Sequence, residues 1–284
     1  MKLIADSGST KTDWCVLDGN HVVERISGQG INPFQQSRTV IQRIINDDVA
    51  SKISCAANIE AANIEEVWFY GAGCRDEMKP MMREVLSSCF TSASTVSADT
   101  DMLGAARALF ADKPGIACIL GTGANSCLYD GRKITDNVPP LGYILGDEGS
   151  GAVLGKLFVN AMFKGGVSAD VREGYLRESG LTLADIIRKV YREPMPNRFL
   201  ASMSLYVRKH LDDDSVRQIV VDNFRNFFRR NVALYGNSTH SVGCVGSMAY
   251  CYESELSEAA GLEGFSVSKV LKSPIEGLIS YHSL

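Results

Sequence analysis

The chain has 284 residues, of which 45% are hydrophobic, and its 29 basic and 33 acidic residues give a net charge of −4. That hydrophobic fraction is too high for a disordered chain, and the absence of a basic tract argues against a nucleic-acid partner. The length favours two domains, and no apolar run approaches the roughly 18 residues that a membrane span needs.

Three features bear on the cellular compartment. The chain begins directly with a strand pattern, so the sequence predicts no signal peptide and a cytoplasmic protein without a membrane partner. The eight cysteines include no C-x-x-C pair, and the four isolated histidines have no metal-ligand spacing. We therefore expect buried, reduced cysteines rather than metal ligands.

The N-terminal elements predict a mixed sheet with helices around it. The segments LIADSG, DWCVLD and HVVERIS have strand patterns, and LDGN has the composition of a hairpin turn. Apolar residues recur at helical spacing over 36–57, and EEVWFYGAG then predicts a buried strand that runs into a glycine-rich loop. A helix over 76–90 that Pro80 breaks early, a strand at STVSA and a helix at DMLGAARALF complete this half.

The same order of elements restarts at GIACILGTGANSCLYDGRKI, which predicts a strand, a glycine-rich turn, a second strand and a hairpin. A helical region follows over 149–235. Its clearest amphipathic helix has an apolar face formed by Val216, Ile219, Val220, Phe224, Phe227, Phe228 and Val232. A strand, a glycine turn and a helix follow in SVGCVGSMAYCYESELSEAAG, then a strand in GFSVSKV and a helix in SPIEGLISYHSL. The repetition predicts two duplicated domains that face each other across a cleft.

Three loops share one design, in which an apolar strand ends in small residues and a second element leaves at once. They are IADSGSTKT, CILGTGANS and GCVGSMAY. Small residues allow close approach of a ligand to the backbone, and successive N–H groups in such turns bind anions. The loops therefore favour a phosphate ligand. The alternative is that they are ordinary tight turns. The segment GSGAVLGKL resembles a Walker A motif, but its glycines are one residue too far apart and Leu157 replaces the Ser or Thr.

Carboxylates at the ends of the predicted strands are the candidates for chemistry. Asp6, beside the first loop, suits Mg²⁺ held through water, although it could instead cap the turn. Asp99 and Asp101 lie between a strand and a helix, where either could cap the helix or act as a general base toward a substrate hydroxyl.

A second acidic pair, Asp147 and Glu148, lies on the glycine-rich turn of GYILGDEGSGAVLG. Carboxylates in such a turn are suited to accept hydrogen bonds from sugar hydroxyls. The alternative is that Asp147 or Ser150 caps the helix that follows.

Four of these segments, in this order, carry a resemblance to a known family. DSGSTKT resembles the first phosphate loop of the sugar kinase, actin and heat-shock ATPase superfamily, LGTGANS the second, and GCVGSMA the adenosine loop. LGDEGSG resembles a segment of the N-acetylhexosamine kinase branch. The chain is similar to BadF/BadG-type ATPases and N-acetylglucosamine kinases. The resemblance implies an α/β fold of two actin-like (ribonuclease H-like) domains, each with a mixed five-stranded sheet, that close on ATP, Mg²⁺ and a sugar.

The resemblance also implies a role for each candidate residue. Asp6 would hold the hydrated Mg²⁺, and Asp101, or its near competitor Asp99, would be the catalytic base that deprotonates a sugar hydroxyl, most simply the 6-OH. The residues that would bind the nucleotide are Gly8, Ser9, Thr10, Lys11, Thr12, Gly121, Thr122, Gly123, Gly243, Gly246 and Ser247. The residues that would face the sugar are Asn32, Gly73, Thr122, Asp147 and Glu148.

The predicted domains are an N-terminal one over 1–112, a C-terminal one over 113–270 with a helical insertion, and a helix over 271–284 that packs back on the N-terminal domain. The resemblance favours a homodimer that acts on a small amino sugar. The sequence does not separate N-acetylglucosamine from N-acetylmuramic acid or glucosamine. Two alternatives stay open: an ATPase that activates a radical dehydratase, with Cys127 near an iron–sulfur cluster at a dimer interface, and a non-catalytic nucleotide or sugar sensor.

Overall fold

The structure is a computed structural model of the chain. It describes residues 1–8, 10–56, 63–236 and 241–283, and for 54–56 it describes the backbone alone. The chain divides into two compact units. Unit 1 comprises Met1–Lys113 and Ser273–Leu284, and unit 2 comprises Pro114–Lys272. Each unit is built on a five-stranded sheet, which confirms the predicted fold class.

The sheet of unit 1 has the strand order β3-β2-β1-β4-β5. Its strands are β1 (Lys2–Ser7), β2 (Lys11–Asp18), β3 (His21–Gln29), β4 (Glu66–Gly71) and β5 (Thr95–Thr100). The first three strands form an antiparallel meander, whereas β4 and β5 run parallel to β1. The register pairs Asp6 with Asp13 in β2 and with Tyr70 in β4, and it pairs Tyr70 with Asp99 in β5. Paired residues point to the same face of a sheet, so these side chains share one face at the end of β1.

Among the residues of unit 1 that the structure describes, five α-helices accompany this sheet: α1 (Arg38–Ile45), α2 (Ser51–Ala56), α3 (Lys79–Cys89), α4 (Asp101–Phe110) and α14 (Ile275–His282). The single helix predicted over 36–57 is interrupted by a π-helical turn at Asn46–Ala50, in which the Asp48 carboxylate accepts the backbone N–H of Gln29 at 3.1 Å. The helix predicted from 76 begins instead at Lys79. Pro80 lies in its first turn, where the missing N–H of proline costs nothing.

The core of unit 1 lies between the sheet and α1, α2 and α3, and includes Trp14, Phe69 and Phe90. The C-terminal helix α14 packs on β1, β2 and α4. The His282 ring nitrogen Nε2 lies 2.9 Å from the Tyr70 hydroxyl, and Lys2 Nζ donates to the His282 carbonyl oxygen at 2.8 Å. The last residues of the chain are therefore part of the same unit as its first strand.

The sheet of unit 2 has the strand order β10-β9-β6-β7-β8. Its strands are β6 (Gly115–Leu120), β7 (Ala124–Tyr129), β8 (Ile134–Asp136), β9 (Val242–Val245) and β10 (Val267–Leu271). As in unit 1, the first three strands are antiparallel neighbours, and the last two extend the sheet in parallel on the other side of the first. The two units therefore have the same topology, as the repeated order of elements in the sequence predicts.

The helices of unit 2 are α5 (Gly142–Leu145), α6 (Gly151–Lys164), α7 (Ala169–Ser179), α8 (Leu183–Tyr191), α9 (Pro196–Ser202), α10 (Ser204–Lys209), α11 (Asp214–Arg230), α12 (Ser247–Cys251) and α13 (Glu253–Leu262). The region predicted as helical over 149–235 is thus divided into six α-helices, α6 to α11, and a 3-10 turn at Val232–Tyr235. Two of the breaks are glycines in the left-handed region, Gly165 with φ 76° and Gly180 with φ 65°. On α11, the residues predicted to face the core are buried, except that Ile219 is half-buried and Val232 lies in a 3-10 turn after the helix.

No helix within the described residues combines the length and the apolar character that crossing a membrane would require.

Candidate functional site

The first predicted phosphate loop, residues 8–11 (loop 1), joins β1 to β2 in unit 1. The Gly8 N–H donates to the Lys11 carbonyl oxygen at 2.9 Å, which closes the turn, and both residues are exposed. The Lys11 ammonium lies 2.9 Å from the Asp13 carboxylate. Thr10 is exposed and its carbonyl oxygen accepts the N–H of Gly30 at 3.1 Å. Gly8, Thr10 and Lys11 are thus accessible to a phosphate, whereas Ser9 lies outside the described residues.

Thr12, the last residue predicted for this loop, has a different environment. It lies in β2 with no exposed surface, and its hydroxyl donates to the Gln29 carbonyl oxygen at 2.9 Å. Ser7, at the end of β1, is equally buried and its Oγ lies 2.6 Å from Thr12 Oγ1. A hydroxyl that is buried and already bonded cannot reach a phosphate, so the geometry argues against contact between Thr12 and the nucleotide. The prediction missed Ser7, although a serine next to Asp6 at the end of an apolar strand was a signal for it.

Asp6 lies at the end of β1 among other acids. Burial, and then the negative charges of Asp101 and Asp13, raise its pKa to about 7, while Ser273 and Lys11 act in the opposite direction. The Ser273 hydroxyl donates to Asp6 Oδ2 at 3.4 Å. Sequence reasoning also missed Ser273, because this residue lies 267 positions after Asp6 in the chain.

The surroundings of Asp6 fit a divalent cation. The charges of Asp101 and Asp13 both raise the pKa of Asp6, and the Lys11 ammonium is paired with Asp13. Such an excess of buried negative charge is relieved by a cation, and carboxylate oxygen is the ligand that Mg²⁺ prefers. Within the described residues, no cluster of three or more His, Cys, Asp or Glu side chains could hold a metal ion by itself. Asp6 with water and phosphate oxygens would suit Mg²⁺, which keeps most of its own waters.

The two carboxylates at the start of α4 have different partners. Asp99 Oδ1 lies 2.9 Å from the Lys79 ammonium, and its Oδ2 accepts the Ser97 hydroxyl at 3.1 Å. Asp101 is the first residue of α4, and its carboxylate accepts the Met102 N–H at 2.9 Å. Burial raises the pKa of Asp101, and no Lys or Arg among the described residues pairs with it. Asp99 is therefore paired with a cation, whereas Asp101, within the described part of the chain, is not.

The helix itself is capped by a third residue. The Thr100 hydroxyl accepts the N–H of Leu103 at 3.2 Å. Thr100 is therefore the N-cap of α4, and Asp101 accepts a second N–H group of the same first turn, that of Met102. The capping alternative thus loses its support for Asp99 and keeps it for Asp101, whose carboxylate has a hydrogen bond to the helix as well as a proposed role as base.

Asn32 and Gly73, predicted to face the sugar, are in contact in unit 1. Asn32 is buried, and its side-chain oxygen accepts the N–H of Phe34 at 3.1 Å. Gly73 has φ 74°, and a Cβ at this position would overlap the Asn32 side-chain oxygen. Only glycine therefore allows this approach. The structure therefore brings Asn32 and Gly73 together, and their contact with a sugar stays a prediction.

The second predicted phosphate loop, residues 121–123 (loop 2), joins β6 to β7 in unit 2. The N–H of Gly121 donates to the Gly123 carbonyl oxygen at 2.9 Å. The carbonyl oxygens of Gly121 and Thr122 accept the N–H groups of Gly151 and Ala152 at 2.8 and 3.2 Å. Loop 2 thus satisfies two of the N–H groups that would be unpaired at the start of α6. The Thr122 side chain is exposed and a Cβ at 121 would meet nothing within 4 Å, so the outer side of the loop is open.

Asp147 and Glu148 lie in the turn before α6. Asp147 has a left-handed backbone, with φ 55°, and its carboxylate accepts backbone N–H groups of Ala124 and Gly142. Burial raises its pKa from 3.8 to about 6, in spite of these hydrogen bonds. Glu148 Oε1 lies 3.4 Å from Arg230 Nη1. The structure therefore places Asp147 against loop 2 and engages Glu148 with α11, a partner that the sequence did not indicate.

The predicted adenosine loop contains residues in two different environments. Gly243 is buried inside β9, between β6 and β10, so its position argues against contact with a nucleotide. Gly246 has φ 122°, and a Cβ there would overlap the Leu120 carbonyl oxygen. Ser247 is exposed at the start of α12. Gly246 and Ser247 are thus the part of this segment that a ligand can reach.

Cys127, the residue behind the iron–sulfur alternative, is fully buried in β7, and burial raises the pKa of its thiol to about 12. A cluster shared between two chains requires ionised thiolates at an exposed surface. The environment of Cys127 therefore argues against the activator alternative.

Comparisons with known proteins identify similar structures over the whole chain. A putative N-acetylglucosamine kinase from Porphyromonas gingivalis is 48% identical, covers 100% of this chain and 99% of its own, and has a TM-score of 0.95. A putative N-acetylglucosamine kinase from Chromobacterium violaceum is 15% identical over 99% of this chain and 98% of its own, with a TM-score of 0.76. A ROK family glucokinase from Streptomyces griseus, in complex with glucose and AMPPNP, is 14% identical, covers 98% of this chain and 97% of its own, and has a TM-score of 0.54. The last two show the fold alone. No protein-family model and no curated protein matches the chain.

Proposed function

Because the chain belongs to the same family as the putative N-acetylglucosamine kinase from Porphyromonas gingivalis, we propose that it transfers the γ-phosphoryl group of ATP to an amino sugar. The proposed acceptor is N-acetylglucosamine or a related N-acetylhexosamine, and the proposed nucleophile is its 6-hydroxyl group. The fold and the family are common to several activities, so the assignment depends on the residues of the site itself.

The environment of Asp101 is the observation that carries the proposal. A general base for a sugar hydroxyl must be ionised, unpaired and close to where the phosphoryl group is held. Asp101 has no cationic partner among the described residues, its pKa is raised by burial, and its charge acts on Asp6 beside loop 1. Asp99 does not meet the second requirement, because its carboxylate is paired with the Lys79 ammonium at 2.9 Å.

In the proposed reaction, Asp101 orients the acceptor hydroxyl and takes its proton as the oxygen attacks the γ-phosphorus. The bond from the γ-phosphorus to the bridging oxygen breaks, and ADP leaves. The exposed residues Gly8 and Thr10 of loop 1 contact the phosphates, and the Lys11 ammonium stabilises the negative charge on the transferred group. Asn32 and Gly73 contribute to the acceptor subsite in unit 1, and Asp147 accepts a sugar hydroxyl in unit 2. Gly246 and Ser247 contact the adenosine. These assignments extend the roles that the sequence predicts, without Thr12 and Gly243.

Asp6 is the residue proposed to hold Mg²⁺ through water. When bound, the ion neutralises charge on the β- and γ-phosphate oxygens. Its proposed position follows from the excess of carboxyl groups around Asp6 described above.

A coupled assay of ADP release tests the proposal. Purified protein with ATP and Mg²⁺ is offered N-acetylglucosamine, N-acetylmuramic acid, glucosamine and glucose in separate reactions. We expect sugar-dependent ADP release that is fastest with an N-acetylated amino sugar, and phosphorus NMR of the product shows which hydroxyl is esterified. ADP release at the same rate with and without every sugar would contradict a sugar kinase and favour an ATPase.

A homodimer and a cytoplasmic location also remain predictions. Light scattering checks the homodimer, for which we expect twice the mass of one chain. Fractionation of cells that produce the protein checks the cytoplasmic location.

A further inference from the structure

Two buried hydroxyl groups close the base of loop 1. Ser7 is the last residue of β1 and Thr12 lies directly opposite it in β2, so the pair occupies the final rung of this ladder before the loop. Neither side chain has any exposed surface, and their hydroxyl oxygens are 2.6 Å apart. Buried hydroxyls are costly unless they are hydrogen-bonded, so a pair at this position calls for partners on a further segment.

The partners lie on the segment that follows β3. The Ser7 hydroxyl accepts the Ile31 N–H at 3.0 Å and lies 2.9 Å from the Ile31 carbonyl oxygen, to which it can donate. The Thr12 hydroxyl donates to the Gln29 carbonyl oxygen at 2.9 Å. A direct backbone bond, from the Gly30 N–H to the Thr10 carbonyl oxygen, adds to these contacts. Loop 1 and residues 29–31 are therefore joined by several hydrogen bonds over a short distance.

The supply of protons makes the two hydroxyls interdependent. Ser7 and Thr12 have two hydroxyl protons between them but three places to donate them: the Ile31 carbonyl, the Gln29 carbonyl and the contact between the two hydroxyls. At a separation of 2.6 Å one hydroxyl donates to the other, so only one of the two carbonyls receives a hydroxyl proton at a time. A change at either segment alters the hydrogen bonding of the other.

The linked segment continues into the acceptor subsite. Ile31 precedes Asn32, which is buried and in contact with Gly73. The Asn32 N–H donates to Gln36 Oε1 at 2.9 Å, and the Gln36 side chain donates to the Gly30 carbonyl oxygen at 3.0 Å. Residues 30–32 are thus fixed on one side by Gln36 and on the other by the hydroxyl pair.

We propose that the Ser7–Thr12 hydroxyl pair couples loop 1 to the acceptor segment, so that nucleotide binding at loop 1 orders residues 30–32 for the sugar. Ser7 and Thr12 are positioning residues, because neither can reach a ligand. The inference rests on the proposed function, since it assigns a phosphate to loop 1 and the acceptor to Asn32.

Hydrogen exchange of the whole protein tests the coupling with a matched pair of variants. Thr12→Val keeps the branched shape and removes the hydroxyl, whereas Thr12→Ser keeps the hydroxyl. Peptides that cover 28–36 are followed with and without the ATP analogue AMPPNP and Mg²⁺. In the wild type and Thr12→Ser we expect the nucleotide to slow exchange in this segment about fivefold, and in Thr12→Val we expect no such slowing.

The outcomes separate this inference from the proposed function. Calorimetry with AMPPNP and Mg²⁺ reports nucleotide binding by itself, and the absence of binding would contradict the proposed function. Two results would overturn the coupling alone, provided that the wild type, Thr12→Ser and Thr12→Val all bind AMPPNP. One is that the nucleotide slows exchange in Thr12→Val as much as in the wild type. The other is that it slows no exchange in the wild type. Ser7→Ala provides a second variant in case Thr12→Val does not fold, and it should lose the slowing too.

Kinetics supply a further readout. In Thr12→Val the KM for the sugar should rise at least about fivefold while the affinity for AMPPNP with Mg²⁺ stays within twofold of the wild type, and Thr12→Ser should restore the KM. A merely structural loss would lower both affinities together, and that result would count against the proposal.

Discussion

Charge pairing distinguishes two carboxylates that lie two residues apart. Lys79 and Ser97 both bind Asp99, whereas Asp101 keeps a carboxyl without a cation partner among the described residues. A neighbouring ammonium stabilises the ionised form of a carboxyl and weakens it as a base, whereas burial does the opposite. At the scale of single residues, the proposed chemistry depends on this difference.

Replacement of each acid by its amide tests the assignment. Asp101→Asn should fold normally and lower kcat by about 10²-fold or more, because the proton of the attacking hydroxyl loses its acceptor. Asp99→Asn, the matched control, should retain kcat within about tenfold. Steady-state assays of sugar phosphorylation measure both. If Asp99→Asn abolished turnover while Asp101→Asn did not, Asp99 would be the base.

A pH dependence of stability is expected from Asp147. Its pKa in the folded chain is about 6, against 3.8 as the ordinary value, so the folded state holds this proton more tightly than the unfolded state does. The resulting stabilisation is complete below pH 3.8 and is lost as pH rises through about 6. A shift of this size corresponds to at most about 3 kcal/mol, and the partial exposure of the carboxyl reduces our expectation to about 1 kcal/mol.

Asp147→Asn isolates this contribution, because asparagine tolerates the left-handed backbone and can still accept the two N–H groups. The free energy of unfolding of the wild type relative to this variant should fall by about 1 kcal/mol between pH 4 and pH 7. Urea unfolding at a series of pH values measures the difference. A constant difference over this range would show that Asp147 does not have the raised pKa.

Contacts between backbones decide how the helices of unit 2 are arranged. In α6, a Cβ at Gly155 would overlap the Leu200 carbonyl oxygen of α9, and one at Gly151 would come within 3.2 Å of Ala201. Glycine at these positions allows the two helices to approach more closely than larger side chains would. The first turn of α6 also donates hydrogen bonds to loop 2, so the helix that packs against α9 is joined to this loop.

Alanine substitutions at two helical glycines should have opposite effects. Gly155→Ala should lower the free energy of unfolding by about 1–3 kcal/mol, because the new methyl group forces α6 and α9 apart. Gly261→Ala in α13, where a Cβ meets nothing within 4 Å, should raise it by about 0.5–1 kcal/mol through higher helix propensity. Chemical denaturation measures the free energy of unfolding of both variants. Equal effects would show that the close contact of residue 155 with Leu200 does not lower the stability of Gly155→Ala.

At the scale of the whole molecule, the stability of the chain depends on the charge around Asp6. Burial, and then the charges of Asp101 and Asp13, raise the pKa of Asp6, so the folded state holds the Asp6 proton up to a pH of about 7. Above that pH the ionised carboxyl destabilises the fold in the absence of a cation. A bound Mg²⁺–nucleotide would reverse this, since any ligand that binds only the folded state stabilises it.

Asp6→Asn should therefore raise the melting temperature of the ligand-free protein at pH 8 and abolish the further rise that Mg²⁺ and AMPPNP produce. For the wild type at 100 times Kd, the ligand should contribute about 2.7 kcal/mol. Differential scanning calorimetry with Mg²⁺ or with EDTA measures the increment, and the exposed acid Asp112 offers a control in Asp112→Asn. A Mg²⁺-dependent increment that survives in Asp6→Asn would exclude Asp6 as the metal-binding residue.

Much of the fold could be predicted because the signals for it are local. The two meanders, the three glycine loops and the repeated order of elements all follow from patterns a few residues long, such as alternation in strands and small residues in turns. Departures from the prediction are local too: Pro80 starts α3 rather than breaking it, and a π-helical turn divides the first helical region. Local patterns do not report how deeply a residue is buried, so Thr12 and Gly243 resembled ligand contacts until their surroundings were known.

The sequence by itself determined the fold class, the family and the positions of the acids, because these depend on residue types in chain order. Only the tertiary structure decided which acid is paired with a cation, which hydroxyls are buried, and that Ser7 and Ser273 approach loop 1 and Asp6. The physical reason is that the strength of a base and the reach of a hydroxyl depend on charges and burial within a few ångströms. Those neighbours come from β3, from α3 and from the residues just before α14, which are distant in the chain from the loops and acids that they contact.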